Sequence, residues 1–486
     1  MNQARPAPRE TTHGSWIDGG WIDGDSSFAV RNPATGATIT HLPAAGSEDV
    51  DRAVLAARSA FTAHRRATPG VRAGWCFSAA ASIESHADLL ARELTLEHGK
   101  PLADARAEVA SAANGFRVAA AAVLSDTGIT PQVADPGKRI ITRREPLGVW
   151  AVITPWNFPL NIPVEYIGPA ISTGNAVVWK PAPTTARIAA LFKKVLLESD
   201  LPAELIQLVV TDEIEVARHL SAHPGIDAVG FTGGSAAGRA IEHAAWDKHL
   251  LLELGGNTPI LVLDDADLDV AAKAIAASAF WNAGQVCSAA GKILATTRTA
   301  RELANRIAGH ADDLVAGDPL DPRTGLGPLH IPSSVDRIQR HVDDAVSRGA
   351  ELITGGAVDT GAGVGPFYRP TVLLDISHES LVFTEETFGP VAAISVLEDE
   401  SRLLAAANAG DYGLVGAVFT RSVDRAFEYA EGLDVGLVVV NDTSNYWELT
   451  IAFGGAHGRS SGRGRLGGAY ALQEFTQIRT IALDVG

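Results

Sequence analysis

Four short, almost wholly apolar runs recur at residues 147–153, 176–179, 206–210 and 228–231, with helical stretches between them. A strand that is apolar on both faces has to be covered on both. This excludes a half-exposed antiparallel sheet and requires a parallel, doubly wound one with helices on each side. A second alternating region opens at Pro259-Ile260-Leu261-Val262-Leu263 and continues to about residue 440. Residues 47–125 are Ala-rich with helical periodicity, start at Ser47-Glu48-Asp49 and break at His98-Gly99-Lys100-Pro101. Residues 16–45 read as short strands, with the near-repeat of Trp-Ile-Asp-Gly forming one hairpin. The tail from Phe475 to Leu483 alternates like a half-exposed strand, a pattern suited to pairing across a subunit boundary.

With 46% hydrophobic residues, the 486-residue chain can build several large cores. Its net charge of −17 argues against nucleic acid and anionic membrane surfaces as partners. Cys76 and Cys287 are its two cysteines, which gives no disulfide framework and points to a reducing compartment. The N-terminus has no signal-peptide core, and no apolar run reaches the roughly 18 residues that span a bilayer. The expectation is a soluble cytoplasmic protein whose first dozen residues are a loose tail.

Cys76 sits in an apolar helical run, as a packing cysteine does, whereas Cys287 follows Gly284-Gln285-Val286 in a stretch that should bend the backbone. After the first buried run, Thr154-Pro155-Trp156-Asn157-Phe158-Pro159 brackets an amide between two prolines, which can hold it still. The fourth run leads into Gly230, Phe231, Thr232, Gly233, Gly234 and Ser235, a glycine-rich strand-to-helix turn that can approach a pyrophosphate. Glu253 ends an apolar strand before Gly255 and Gly256, where burial would raise its pKa toward that of a general base. Glu385 and Glu386 precede Phe388-Gly389-Pro390, and an acid there can hold ribose hydroxyls. Each also has a structural reading: a rigid cap, a tight packing turn, a carboxylate satisfied at a turn, a charged loop. The 14 histidines form no zinc-type spacing, so no metal is expected.

In this order and spacing, with Glu253 and Cys287 34 positions apart, the motifs resemble those of the aldehyde dehydrogenase superfamily over nearly the whole chain. The resemblance implies an α/β fold: a Rossmann-like cofactor domain (1–124 and 147–256), an α/β catalytic domain (257–455), and a β oligomerisation arm with the C-terminal tail (125–146 and 456–486). It implies an enzyme that oxidises a small-molecule aldehyde to the acid with NAD or NADP, as a homodimer or homotetramer. Cys287 would be the nucleophile, Asn157 with the Cys287 backbone N–H the oxyanion hole, and Glu253 the base. Thr154, Pro155, Trp156, Lys180, the turn from Gly230 to Ser235, Leu254, Gly255, Glu386 and Phe388 would bind the cofactor. Phe158, Asn161 and Glu165, on one helix, would line the substrate channel opposite Tyr446 and Trp447. Pro183 stands where NAD-preferring members often carry an acid, which leaves NAD and NADP both open. Glu253 favours hydrolysis over an acylating or semialdehyde-specific relative, and the intact Cys287, Asn157 and Glu253 argue against a silent binding protein.

Overall fold

The apolar runs are buried at every position but Leu147, and they pair side by side. In the computed structural model, which describes residues 13–24 and 26–486, Val149–Ile153, Ala176–Lys180, Ile206–Leu208, Ala228–Thr232 and His249–Glu253 form the parallel centre of an eight-stranded sheet. The first dozen residues, expected as a loose tail, lie outside that range. Antiparallel edges close the sheet: Gly462–Arg463 against His249–Glu253, and the hairpin Trp16–Ile17 with Gly20–Trp21 against Ile206–Leu208.

The second alternating region builds a seven-stranded sheet in the order Glu351–Thr354, Thr371–Leu374, Val391–Leu397, Ala290–Thr296, Thr258–Val262, Val415–Phe419, Leu437–Val440. All of its pairings are parallel except the first. Lys138–Pro146 and the tail strand Thr476–Asp484 form a separate antiparallel ribbon with most side chains exposed. No helix among the described residues is long and apolar enough to cross a membrane.

The Ala-rich region folds into helices Ser47–His64, Pro69–Ser85, Ala87–His98 and Leu102–Leu124. The first starts at the expected place, where Asp49 accepts the Gly46 N–H at 3.0 Å. The third stops at Gly99, which takes the left-handed φ of 92° that ends a helix. Cys76 is fully buried in the second helix, where burial pushes its thiol up to about 12.

Helix Asn161–Thr173 positions the site. It is buried nearly all round, and Asn161 and Glu165 are its two partly exposed residues, one turn apart on one face. Phe158 was expected on this helix but lies just before it, because Pro159 and the turn at Leu160 delay its start.

The tail is tied to the first sheet by Phe475. Its ring stacks on Trp150 with centroids 4.0 Å apart, both are fully buried, and its carbonyl accepts Asn175 Nδ2 at 2.9 Å. Phe475→Ala should therefore destabilise the protein by about 3 to 5 kcal/mol, the usual cost of emptying a buried aromatic site. Chemical denaturation at fixed protein concentration reads this, and a loss below about 1 kcal/mol would contradict it.

Candidate active site

Cys287 is delivered by three consecutive residues in the left-handed region, Asn282 (φ 51°), Ala283 (φ 54°) and Gly284 (φ 70°). Such a run is strained for residues with a Cβ and persists only where the surroundings fix it. Here Asn282 O accepts Gln285 Nε2 at 2.9 Å, and Gln285 Oε1 accepts the His330 N–H at 2.8 Å. Gly284 has no alternative, since a Cβ there would lie 2.1 Å from the Gly389 carbonyl oxygen. The Gly-Gln bend expected from the sequence is thus present, one turn longer than the glycine alone suggested.

Asn157 reaches the same loop from the first sheet, its Nδ2 donating to Gln285 O at 3.1 Å. Its backbone carbonyl accepts Lys100 Nζ at 2.9 Å and Asn282 Nδ2 at 3.3 Å, so main chain and side chain are both held. Glu253 closes its strand with 3% exposure, and neither carboxylate oxygen has a hydrogen-bond partner among the described residues. Burial drives its pKa well above the ordinary value, the Glu165 charge adds to this, and Arg465 opposes it. Burial raises the Cys287 thiol likewise, followed by the charges of Glu386, Glu253 and Glu165.

A cavity of about 250 Å³ joins Cys287 and Glu253, while Asn157 stands outside its lining. Cys287, Glu253 and all five expected channel residues (Phe158, Asn161, Glu165, Tyr446, Trp447) line it. Asn161 Nδ2 donates to Glu165 Oε1 at 2.5 Å, and Ser111 Oγ donates to Asn161 Oδ1 at 2.6 Å. Sequence reasoning missed Glu108, Ser111, Trp281 and Asn445 on the wall. Glu108 and Ser111 come from helix Leu102–Leu124, about 50 residues away from Asn161 in sequence, and carry no local signal. His98 and His330 were missed too: they stack on each other at 5.0 Å, and His330 stacks on Trp156 at 4.8 Å. Burial lowers His330 to about 4, so this stack is uncharged at neutral pH.

The remaining expected residues lie along the carboxyl ends of the first sheet's strands, where open α/β sheets take their ligands. Lys180 is buried, its Nζ donates to Pro181 O at 3.1 Å, and burial lowers it to about 8 while Asp212 raises it. Thr154 Oγ1 accepts Trp179 Nε1 at 2.9 Å, fixing the start of the Pro155-Trp156 turn. Phe231 and Gly230 pack inward, with a Cβ on Gly230 only 2.5 Å from the Tyr166 ring. Thr232 Oγ1 lies 2.7 Å from Tyr166 Oη, and Gly233 donates its N–H to Glu253 O at 3.0 Å. Gly234 caps helix Ser235–Ala244, whose first turn leaves backbone N–H groups for an anion. Glu386 accepts the Gly256 N–H at 3.0 Å, and burial raises its carboxyl to about 7. Its second oxygen lies over Gly255, where a Cβ would come within 2.5 Å, and Leu254 is buried beside it. Phe388 meets Trp156 edge-on at 5.6 Å.

No metal was expected, and the Cys287 cavity contains no histidine. Elsewhere Asp51, His219 and His223 bring ligand atoms within 4.8 Å of one another on the surface, a grouping invisible in the sequence because Asp51 belongs to a distant helix.

Residues 21–481 match the model of the aldehyde dehydrogenase family. This chain belongs to the aldehyde dehydrogenase family. It is 35% identical to a glutarate-semialdehyde dehydrogenase of Pseudomonas putida, over 97% of this chain and 98% of that one. It is also 35% identical to an NADP(+) succinate-semialdehyde dehydrogenase of Escherichia coli, over 96% and 97%. The structure of a succinate-semialdehyde dehydrogenase from Burkholderia pseudomallei superposes with a TM-score of 0.95 at 33% identity, covering 99% and 100% of the two chains. The doubly wound α/β fold read from the sequence is the fold of these relatives. The aldehyde dehydrogenase here is an oxidoreductase that converts an aldehyde to the carboxylic acid with NAD(P)+.

Cys287→Ala should lower kcat/KM by about four orders of magnitude or more while leaving the folded state intact, because Cys287 faces the cavity rather than the core. Cys76→Ala, in contrast, should keep most activity. Turnover surviving in the Cys287 variant would remove it from the chemistry.

Proposed function

We propose that Cys287 is the nucleophile, Glu253 the general base of deacylation, and the Asn157 amide with the Cys287 backbone N–H the oxyanion donors. The reading rests on one observation above others: Cys287 and an unpartnered, buried Glu253 line one cavity. Cys287 gives up its thiol proton to solvent, its sulfur attacks the aldehyde carbon, and the carbonyl electron pair moves onto oxygen, where fixed donors hold it. Collapse of this thiohemiacetal restores the C=O bond and releases hydride. Bound NAD(P)+ supplies the hydride acceptor. Glu253 then takes a proton from water, the hydroxide attacks the thioester carbon, and the C–S bond breaks to return the cysteine and the acid.

The cofactor residues fit the group. Lys180 offers an ammonium with a backbone partner, Glu386 has an oxygen standing over a glycine, and Gly234 opens a helix N-terminus. Lys180 would hold the adenosine ribose, Glu386 the nicotinamide ribose, and the turn from Gly230 to Ser235 the pyrophosphate. Thr154, Pro155, Trp156, Leu254, Gly255 and Phe388 would shape the remaining walls. The exposed ribbon edge of Thr476–Asp484 suits a cytoplasmic homo-oligomer, dimer or tetramer, in which it adds a strand across the interface.

Glu253→Gln tests the base. Hydride release should appear as a burst of NAD(P)H followed by turnover about a hundredfold slower than wild type. Because burial raises its pKa, the basic form of Glu253 grows in at higher pH than that of an exposed glutamate, so wild-type turnover should climb as pH rises and the variant should lose that limb. Unchanged steady-state turnover would exclude the role.

For the substrate, Phe158, Tyr446 and Trp447 favour a flat or apolar body and Glu165 disfavours a second carboxylate. Neither Arg459 nor Arg463 offsets this: they bond to Asp434 and Glu242. Benzaldehyde or hexanal should exceed succinate semialdehyde in kcat/KM by about tenfold or more. The reverse order would refute this view of the channel, although the relatives named above carry semialdehyde names.

A further inference from the structure

The lining of the Cys287 cavity has an uneven charge. It includes three carboxyl side chains, Glu108, Glu165 and Glu253, and no lysine, arginine or histidine among the described residues. The three are not equivalent. Glu108 is neutralised from behind by Lys100 Nζ at 2.5 Å, and it also accepts the Leu160 N–H at 2.9 Å. Glu253 is buried at the bottom with the thiol. Glu165 remains: its hydrogen bond comes from a neutral amide, Asn161, whose other end is pinned by Ser111.

We propose that this cavity takes an aldehyde whose far end is an alkylammonium cation, with Glu165 as its counter-charge and Phe158, Trp281, Tyr446 and Trp447 as an aromatic wall.

Two kinds of recognition converge. Aromatic faces attract a desolvated cation by their quadrupole. The wall already does this on its outer side, where Lys100 Nζ sits 4.2 Å from the centre of the Phe158 ring. A carboxyl facing the same space supplies the neutralising charge. Glu253 lines the floor of the same cavity, with neither carboxylate oxygen partnered among the described residues. No arginine lines the cavity to meet an anionic tail: Arg465, whose charge is felt at Glu253, turns its Nη1 to the carbonyls of Gly455 and Gly464.

The charge state of Glu165 adds a signature. Burial pushes its carboxyl up to about 8, the Asn161 bond opposes this, and Glu108 reinforces it. The groups that face it are Glu108 (with Lys100, and Asp104 next to Lys100), Glu253 (with Arg465), Cys287 and Tyr166. A cation binds the carboxylate form, which grows as pH rises through about 8. Preference for a cationic aldehyde should therefore increase with pH, whereas the Glu253 limb affects every aldehyde alike.

The inference depends on Cys287 being the nucleophile, and the test separates the two. The probes are 4-(trimethylammonio)butanal, whose charge is independent of pH, its carbon isostere 5,5-dimethylhexanal, and propanal as a tail-less aldehyde. In the wild-type enzyme the ratio of kcat/KM, cationic over isostere, should be about tenfold at pH 9 and fall several-fold by pH 6.5. Glu165→Gln should flatten that pH dependence and reduce the ratio at pH 9 toward unity. Tetramethylammonium chloride should inhibit 5,5-dimethylhexanal oxidation by the wild type competitively and more strongly at pH 9, where sodium chloride does not. A ratio at or below one in the wild type, or one unmoved by pH and by Glu165→Gln, overturns the subsite even with normal propanal oxidation. Failure to oxidise propanal overturns the catalytic reading and the subsite with it.

Discussion

Everything reactive in this enzyme hangs on the left-handed run from Asn282 to Gly284. Three successive positive φ angles throw the chain out of helix Leu268–Phe280 and turn it so that Cys287 meets the first sheet. Two of the three residues carry a Cβ, so the turn costs of order 1–3 kcal/mol per residue unless neighbours enforce it. The enforcement is mostly hydrogen bonding from afar: Asn157 from the first sheet, and His330 from a loop 45 residues beyond Gln285. Gln285 therefore matters as much as the glycine before it. Its carbonyl takes Asn157, its amide takes Asn282, and its own oxygen takes His330. Cys287 and Asn157, the proposed nucleophile and oxyanion donor, are thus set relative to each other by one residue that touches neither substrate nor cofactor in the proposed scheme.

That enclosure governs the electrostatics as well. Thiol and base are both held toward their neutral forms, first by burial and then by neighbouring acids. A site left neutral at rest avoids the cost of several uncompensated charges in a low dielectric. It also means that a positive charge arriving in the cavity lowers several pKa values together, so the groups titrate as a coupled set rather than one at a time.

The sequence made the two sheets legible because fully apolar runs of four to seven residues cannot be placed anywhere but in a covered parallel sheet. Helix starts and stops at Ser47 and Gly99 were legible for equally local reasons. The five channel residues were placed through family resemblance, and they do line the Cys287 cavity. What stayed hidden was tertiary. Glu108 looks like any surface glutamate on an Ala-rich helix, yet it is buried against Lys100. His98 sits at a helix end and His330 in a loop, and only the fold stacks them behind Trp156. Phe158 was put on the helix because spacing was counted without the turn that precedes it. Arg459, Arg463 and Arg465 are close neighbours in sequence, yet they disperse to Asp434, Glu242 and two backbone carbonyls.

The segment from Phe453 to Leu466 explains how an acid can be left unpartnered at the end of a buried strand. Gly462 pairs with Glu253 as the last strand of the first sheet, and Ser461 accepts the Leu254 N–H with its carbonyl while its hydroxyl donates to Gly255 O. The backbone around Glu253 is therefore saturated, and Gly233 donates to the Glu253 carbonyl from the other side. Gly462 has to be glycine, at φ 112° with a Cβ only 1.9 Å from Leu252 O. With its main chain clamped on both edges, Glu253 stays in place without a side-chain hydrogen bond among the described residues. A base that must receive a proton from water, and then release it, gains from being held by its backbone rather than by its own oxygens. The loop that carries three arginines in sequence thus serves the site chiefly through glycine and serine, as a strap across the edge strand.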